Sequence, residues 1–191
     1  AYKDLLVTEN PATSSTGLAF LLATVGKYGT TDYVGWWKDL RINGVKVVDS
    51  WDTAYNDEFT QGGGSGKRPM VVSYASSPPA TIIYASDPKP TTPTTGNIDT
   101  TCFRQVEFAG ILAGTKHEAA ARALIDFLVG EKFQADLPLS NFVYPVRTAV
   151  VLPPLFAQFG KPSPDPFTVS PADIAAHRDE WVSAWDAAVL H

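Results

Sequence analysis

Thr13-Ser14-Ser15-Thr16-Gly17 is the segment of this chain best equipped for chemistry. Four consecutive hydroxyl residues stand between a short apolar run, residues 5–8, and a stretch in which Leu18, Leu21, Leu22 and Val25 recur at helical spacing. A helix start has free backbone N–H groups, and a single side-chain hydroxyl suffices to cap one of them. The surplus, with Ser14 and Ser15 at its centre, fits a turn in which N–H groups and hydroxyls converge on an anion at the positive end of the helix. Plain capping is the simpler use of any one of these residues.

A second group is aromatic. Trp51, Tyr74, Phe142 and Tyr144 each fall at the start or end of an inferred strand or helix, where α/β sheets place ligands. A ring there can stack on a flat heterocycle and attract a cation by about 0.5–2 kcal/mol, although core packing is the commoner fate of any single aromatic. Catalytic motifs are missing: there is no GxSxG, phosphate-binding GxxxxGK[ST], GxGxxG or HExxH. Cys102 with His117 lacks an active-site context, and the glycine run at 62–66 has no Lys-Ser/Thr ending and opens no helix. The histidines at 117, 177 and 191 are too dispersed for a local zinc site, so neither metal nor cofactor is expected.

The elements that position these groups follow from periodicity and punctuation. Residues 5–8 read as a buried strand closed by Asn10-Pro11. The helix after Thr16 runs to Gly26 and Gly29, and a second, carrying Tyr33, Trp36, Trp37 and Leu40, stops at Asn43-Gly44. Residues 45–48 and 70–74 are further strands, with an amphipathic segment from Ser50 to Phe59 between them. Residues 87–101, rich in Pro and Thr, read as an extended crossover. Beyond it, 103–112 reads as a long strand, and Ala120, Ala123, Leu124, Phe127 and Leu128 form a helical stripe ending at Gly130. Residues 151–166 read as an irregular connection, and a last helix begins at Ser170 with Pro171 and Asp173 in its first turn. Strands alternating with helices predict an α/β fold with a partly parallel sheet.

Composition narrows the function. The chain has 191 residues, 45% hydrophobic and 18% charged, as in globular proteins. Its formal charge of −5 and scattered Lys and Arg argue against a nucleic-acid partner. Apolar runs fall short of the roughly 20 residues that cross a bilayer. One cysteine, Cys102, excludes an internal disulfide.

Taken in order, several segments resemble the thiamine-binding proteins of ABC importers, within the two-lobed periplasmic binding proteins. They are Asn10-Pro11-Ala12-Thr13-Ser14-Ser15-Thr16-Gly17-Leu18, Trp51-Asp52-Thr53-Ala54-Tyr55, Val72-Ser73-Tyr74-Ala75-Ser76-Ser77-Pro78, Gln105-Val106-Glu107, Asn141-Phe142-Val143-Tyr144-Pro145-Val146, and Ser170-Pro171-Ala172-Asp173 through Trp181 and Trp185. The resemblance implies a type II-like, two-lobed, three-layer α/β architecture with the N-terminal part of the first lobe absent. Residues 1–85 would form most of the second lobe, 86–101 a crossover, and 102–191 the C-terminal part of the first.

The resemblance also implies a role: capturing thiamine or a thiamine phosphate outside the cytoplasm and delivering it to an ABC permease, without catalysis. Ser14 and Ser15 would hold the hydroxyl or phosphate tail, and Trp51 would pack on the ligand. Tyr74, Ala75, Ser76 and Ser77 would form a further contact stretch, joined by Phe142 and Tyr144. Phe142 stands where the family usually carries Trp, the glycine run lengthens a loop, and Pro69 replaces an acidic residue. The acidic residue that meets the aminopyrimidine would lie in the absent half. Other readings are an iron(III) or other small-solute binding protein, for which Tyr74 lacks a neighbouring Tyr, and the effector-sensing domain of a transcription regulator.

Overall fold

A three-stranded parallel sheet organises the N-terminal part of the computed structural model, which describes residues 2–191. β1 (Leu6–Glu9) lies between β2 (Lys46–Val48) and β3 (Met70–Val71), with Val7 opposite Lys46 on one side and Val71 on the other. Parallel neighbours need crossovers, and these are α1 (Ser15–Ile42) between β1 and β2, and a π-helix (Thr53–Glu58) between β2 and β3. As the central strand, β1 is covered on both faces: Val7, Thr8 and Glu9 are all fully buried.

α1 begins hard against the sheet. A Cβ on Gly17 would lie 2.4 Å from the Glu9 carbonyl oxygen, so only glycine lets the first helical turn approach β1 this closely. Gly17→Ala should therefore lower stability by about 1–3 kcal/mol through backbone displacement. A thermal melt unchanged by that substitution would show that the turn and the strand are not in this contact. At Gly29 (φ 78°, ψ 172°) the helix breaks, dividing α1 into the two helical segments that the sequence predicts.

The second segment of α1 turns its aromatic face to α6 (Pro171–Val189). Trp37 and Trp185 meet edge to face at 5.6 Å, and Leu21, Leu22, Val25, Tyr33, Trp181 and Val189 complete the buried cluster. α6 starts as its sequence predicts: Ser170 Oγ accepts from the Asp173 N–H at 3.1 Å, and Pro171 occupies the first turn.

Two compact units divide the chain. One comprises residues 1–74, 98–105 and 163–191, and the other 75–97 and 106–162. The second contains α2 (Ala80–Ile83), α3 (Glu118–Leu128), α4 (Glu131–Ser140) and α5 (Pro154–Phe159). One expected strand fails. Residues 104–112 form no strand, and only Phe103 makes a bridge, to Phe167. A strand requires a ladder of hydrogen bonds to a neighbour, and the side chain of Phe108 in this segment is 90% exposed rather than packed in a core. The predicted helical stripe forms α3, which ends just before Gly130 as read, with no residue completely buried. α4, with Pro138 inside it, and α5, within the stretch expected to be irregular, were not anticipated.

Candidate functional site

β1, β2 and β3 are parallel, so their C-terminal ends share one edge of the sheet, the edge at which α/β folds bind ligands. Three segments leave it: the hydroxyl turn after β1, Trp51 after β2 and Tyr74 after β3. The turn is tied down by its own polar groups. Asn10 N–H donates to the Val48 carbonyl, Asn10 Oδ1 accepts from Ala12 N–H, and Thr13 Oγ1 donates to the Asp49 carbonyl at 2.8 Å. Ser14 is the N-cap of α1 but makes no side-chain cap bond; its hydroxyl pairs instead with Thr16 Oγ1 at 2.9 Å. Ser15 is exposed in the first turn. Residues 11–15 and Leu18 line an open groove of about 490 Å³ with Arg178, Asp179, Val182 and Ser183 of α6. Arg178 does not bring a spare charge there, because its guanidinium bonds Asp179 at 2.8 and 3.0 Å.

The aromatic side of this edge is ordered by hydrogen bonding. Trp51 Nε1 donates to Ser73 Oγ at 2.9 Å, which fixes the indole. Tyr55 stacks on it with centroids 4.9 Å apart and planes at 20°, and Tyr74 tilts toward it at 6.0 Å and 50°. Burial raises the Tyr55 hydroxyl pKa above its usual value, so that phenol stays neutral. Tyr74 is 44% exposed and presents a large ring at the surface.

Of the residues singled out from sequence, Ser14, Ser15, Trp51 and Tyr74 belong to the first unit. Ala75, Ser76, Ser77, Phe142 and Tyr144 belong to the second. There, Ser76 is buried, and the Ala75 carbonyl accepts from Asn97 Nδ2. Tyr144 donates its hydroxyl to the Gly160 carbonyl at 2.7 Å. Phe142, in a left-handed backbone conformation at φ 56°, packs between Tyr84 and Phe156 with centroids at 5.7 and 5.4 Å.

Sequence reasoning passed over three residues at the sheet edge. Tyr55 and Ser73 hold Trp51, and the signal for such partners was the indole itself, whose N–H needs an acceptor when half-buried. The third is Glu9, a carboxylate closing an otherwise apolar strand and fully buried, with neither oxygen hydrogen-bonded. Burial pushes its pKa from 4.5 to about 7, against smaller opposing pulls from its own backbone and the Thr16 hydroxyl. Cys102 has none of the features of a nucleophile: burial and the nearby Asp99 raise its pKa, outweighing the Ser163 hydroxyl. Among the described residues no three His, Cys, Asp or Glu cluster as metal ligands, and no helix is long and apolar enough to cross a membrane.

The family described as bacterial extracellular solute-binding protein matches residues 1–168. A thiamine-binding periplasmic protein of Escherichia coli (strain K12) is 32% identical over 184 residues, 96% of this chain and 53% of that protein. Its counterpart in Salmonella typhimurium (strain LT2) is 31% identical over the same shares, and that of Brucella suis biovar 1 is 29% identical over 96% and 52%. A solved periplasmic thiamin binding protein superposes with a TM-score of 0.74 at 26% identity, over 97% of this chain and 55% of its own. The chain thus spans about half the length of the relatives it matches.

Proposed function

The chain belongs to the bacterial extracellular solute-binding protein family, and from that premise we propose that it captures thiamine or a thiamine phosphate outside the cytoplasm and passes it to an ABC permease. The observation that carries the ligand assignment is the Trp51, Tyr55 and Tyr74 cluster, which shares an edge of a parallel sheet with a hydroxyl-lined helix start. Thiamine is a flat cation with a polar tail. With Tyr55 on one face of the indole, the opposite face is the one to stack on the cationic ring, while Ser14 and Ser15 meet the hydroxyl or phosphate. Ala75, Ser76, Ser77, Phe142 and Tyr144 are retained as further ligand contacts. The names of the relatives support this reading.

The relatives are about twice as long as this chain, and in a whole protein of that length two lobes would close over the ligand. Calorimetric titration of the full-length protein with thiamine, its phosphates and ferric citrate tests the proposal. Thiamine should bind, and Trp51→Ala should weaken it roughly 2- to 30-fold, the range of one cation–π contact. Absence of heat with every thiamine species, or undiminished affinity in the variant, would remove the ligand assignment while leaving the family intact.

A further inference from the structure

The loop between the π-helix and β3 carries glycine at 62, 63, 64 and 66, and three of these lie against helix backbone. A Cβ on Gly62 would overlap the Tyr55 carbonyl, and one on Gly66 the Glu58 carbonyl. One on Gly64 would lie 2.5 Å from the Asn56 carbonyl oxygen. The atoms met are backbone, so no side-chain rotation can clear them. Positions 62, 64 and 66 thus lie along the helix in order, as alternate residues of an extended strap. Gly63 meets nothing within 4 Å, and its φ of 89° is the reason for glycine there. Gly62 and Gly64 answer to contact instead.

The strap also supplies donors. In the π-turn the Phe59 N–H reaches back five residues to the Ala54 carbonyl at 3.1 Å, and the carbonyls after Ala54 take partners from outside the helix. Gly64 N–H donates to the Asn56 carbonyl at 3.1 Å, and Arg68 N–H to the Glu58 carbonyl at 3.0 Å. Tyr55 is where strap and ring cluster meet. Its carbonyl lies under Gly62, while its ring stacks on Trp51 at 4.9 Å and tilts against Phe59 at 5.5 Å. Trp51 is held separately, through the hydrogen bond from its Nε1 to Ser73 Oγ, so Tyr55 can shift without breaking that bond.

We propose that Gly62 and Gly64 are positioning residues for the ring site: by admitting the strap to the π-helix backbone, they hold Tyr55 flat on one face of Trp51 and leave the opposite face preset for a flat cation. The proposal rests on the reading of Trp51 as a ligand contact. Backed by Tyr55, the indole is ordered before the ligand arrives, which lowers the ordering cost of binding. A side chain at 62 or 64 pushes the helix backbone off the strap and tilts Tyr55 away, and Trp51 is then free to rock about its bond to Ser73.

The test is calorimetric titration of the full-length protein with thiamine, as a double-mutant cycle on Gly62 and Tyr55. Gly62→Ala and Tyr55→Leu should each weaken binding about 3- to 10-fold, the range for one side chain that must be ordered on binding, and the double variant no more than either alone. Tyr55→Phe keeps the ring and should recover most of the loss seen in Tyr55→Leu. Gly63→Ala, which strains the loop without meeting the helix, should stay within about twofold of the parent. Should circular dichroism show Gly62→Ala unfolded, Gly64→Ala takes its place in the cycle. Undiminished affinity in the folded glycine variant, or losses that add in the double variant, would overturn the inference and leave the proposed function standing. An equal loss in Gly63→Ala would do the same, by tracing the effect to loop strain. No thiamine binding by the parent would defeat the ligand assignment, and the inference with it.

Discussion

Trp185→Ala should destabilise the first compact unit by about 3–5 kcal/mol, the usual cost of emptying a large aromatic site in a core. Trp185 is fully buried, meets Trp37 edge to face at 5.6 Å, and lies where α6 packs against α1. Collapse around the hole is restricted, because Trp37 is held from its other side: its Nε1 donates to Thr24 Oγ1 at 2.9 Å, and Thr24 donates to the Leu21 carbonyl. Trp185 differs in one respect, since its own indole N–H is buried without an acceptor. Trp185→Phe removes that unpaired donor with the lost volume and should cost only about 1 kcal/mol, whereas Trp37→Phe also forfeits a made hydrogen bond. All five tryptophans belong to the first unit, so urea unfolding followed by tryptophan fluorescence reads it selectively. A loss below about 1.5 kcal/mol for Trp185→Ala would mean that α6 is not anchored by this ring.

Glu9→Gln should leave stability almost unchanged in acid and raise it by about 3 kcal/mol above neutral pH. Burial lifts the folded carboxyl pKa from 4.5 to about 7, and each tenfold change in proton affinity is worth about 1.4 kcal/mol. The sign follows from linkage: the folded state holds the proton more tightly than the unfolded chain does. The stability contributed by the neutral acid is therefore fully present below about pH 4.5 and is lost as pH rises through about 7. Glutamine is neutral throughout and keeps nearly the same shape, so the gap between variant and parent should open across that interval and then level off. Urea melts at several pH values on both proteins supply the comparison, in which every other ionisation cancels. A gap independent of pH would show that the Glu9 carboxyl is as solvated in the folded state as in the unfolded chain.

Local pattern was enough where the information is local. The caps at Ser170, Pro171 and Asp173, the break at Gly29 and the hydrophobic spacing of α1 and α6 are properties of short segments, and the folded chain realises them as read. The likeness to thiamine-binding proteins was also legible, because it resides in the order of segments such as 10–18, 51–55 and 72–78, which fold rearrangements leave intact. The short, weakly periodic helices α4 and α5 gave less to read, and Pro138 argued against helix at its own position.

Pairing and environment are of another kind. The apolar character of 103–112 suits a strand, but a strand needs a ladder to a neighbour's N–H and C=O groups, and among the described residues only Phe103 of this stretch makes a bridge. Glu9 reads as an ordinary acid at a strand's end; only its central place in the parallel sheet, beneath a helix start that Gly17 lets close in, removes its water and its charge partners together. Residue types thus set which groups this protein has available, while burial and strand order, which depend on segments distant in sequence, set the protonation and partners those groups keep.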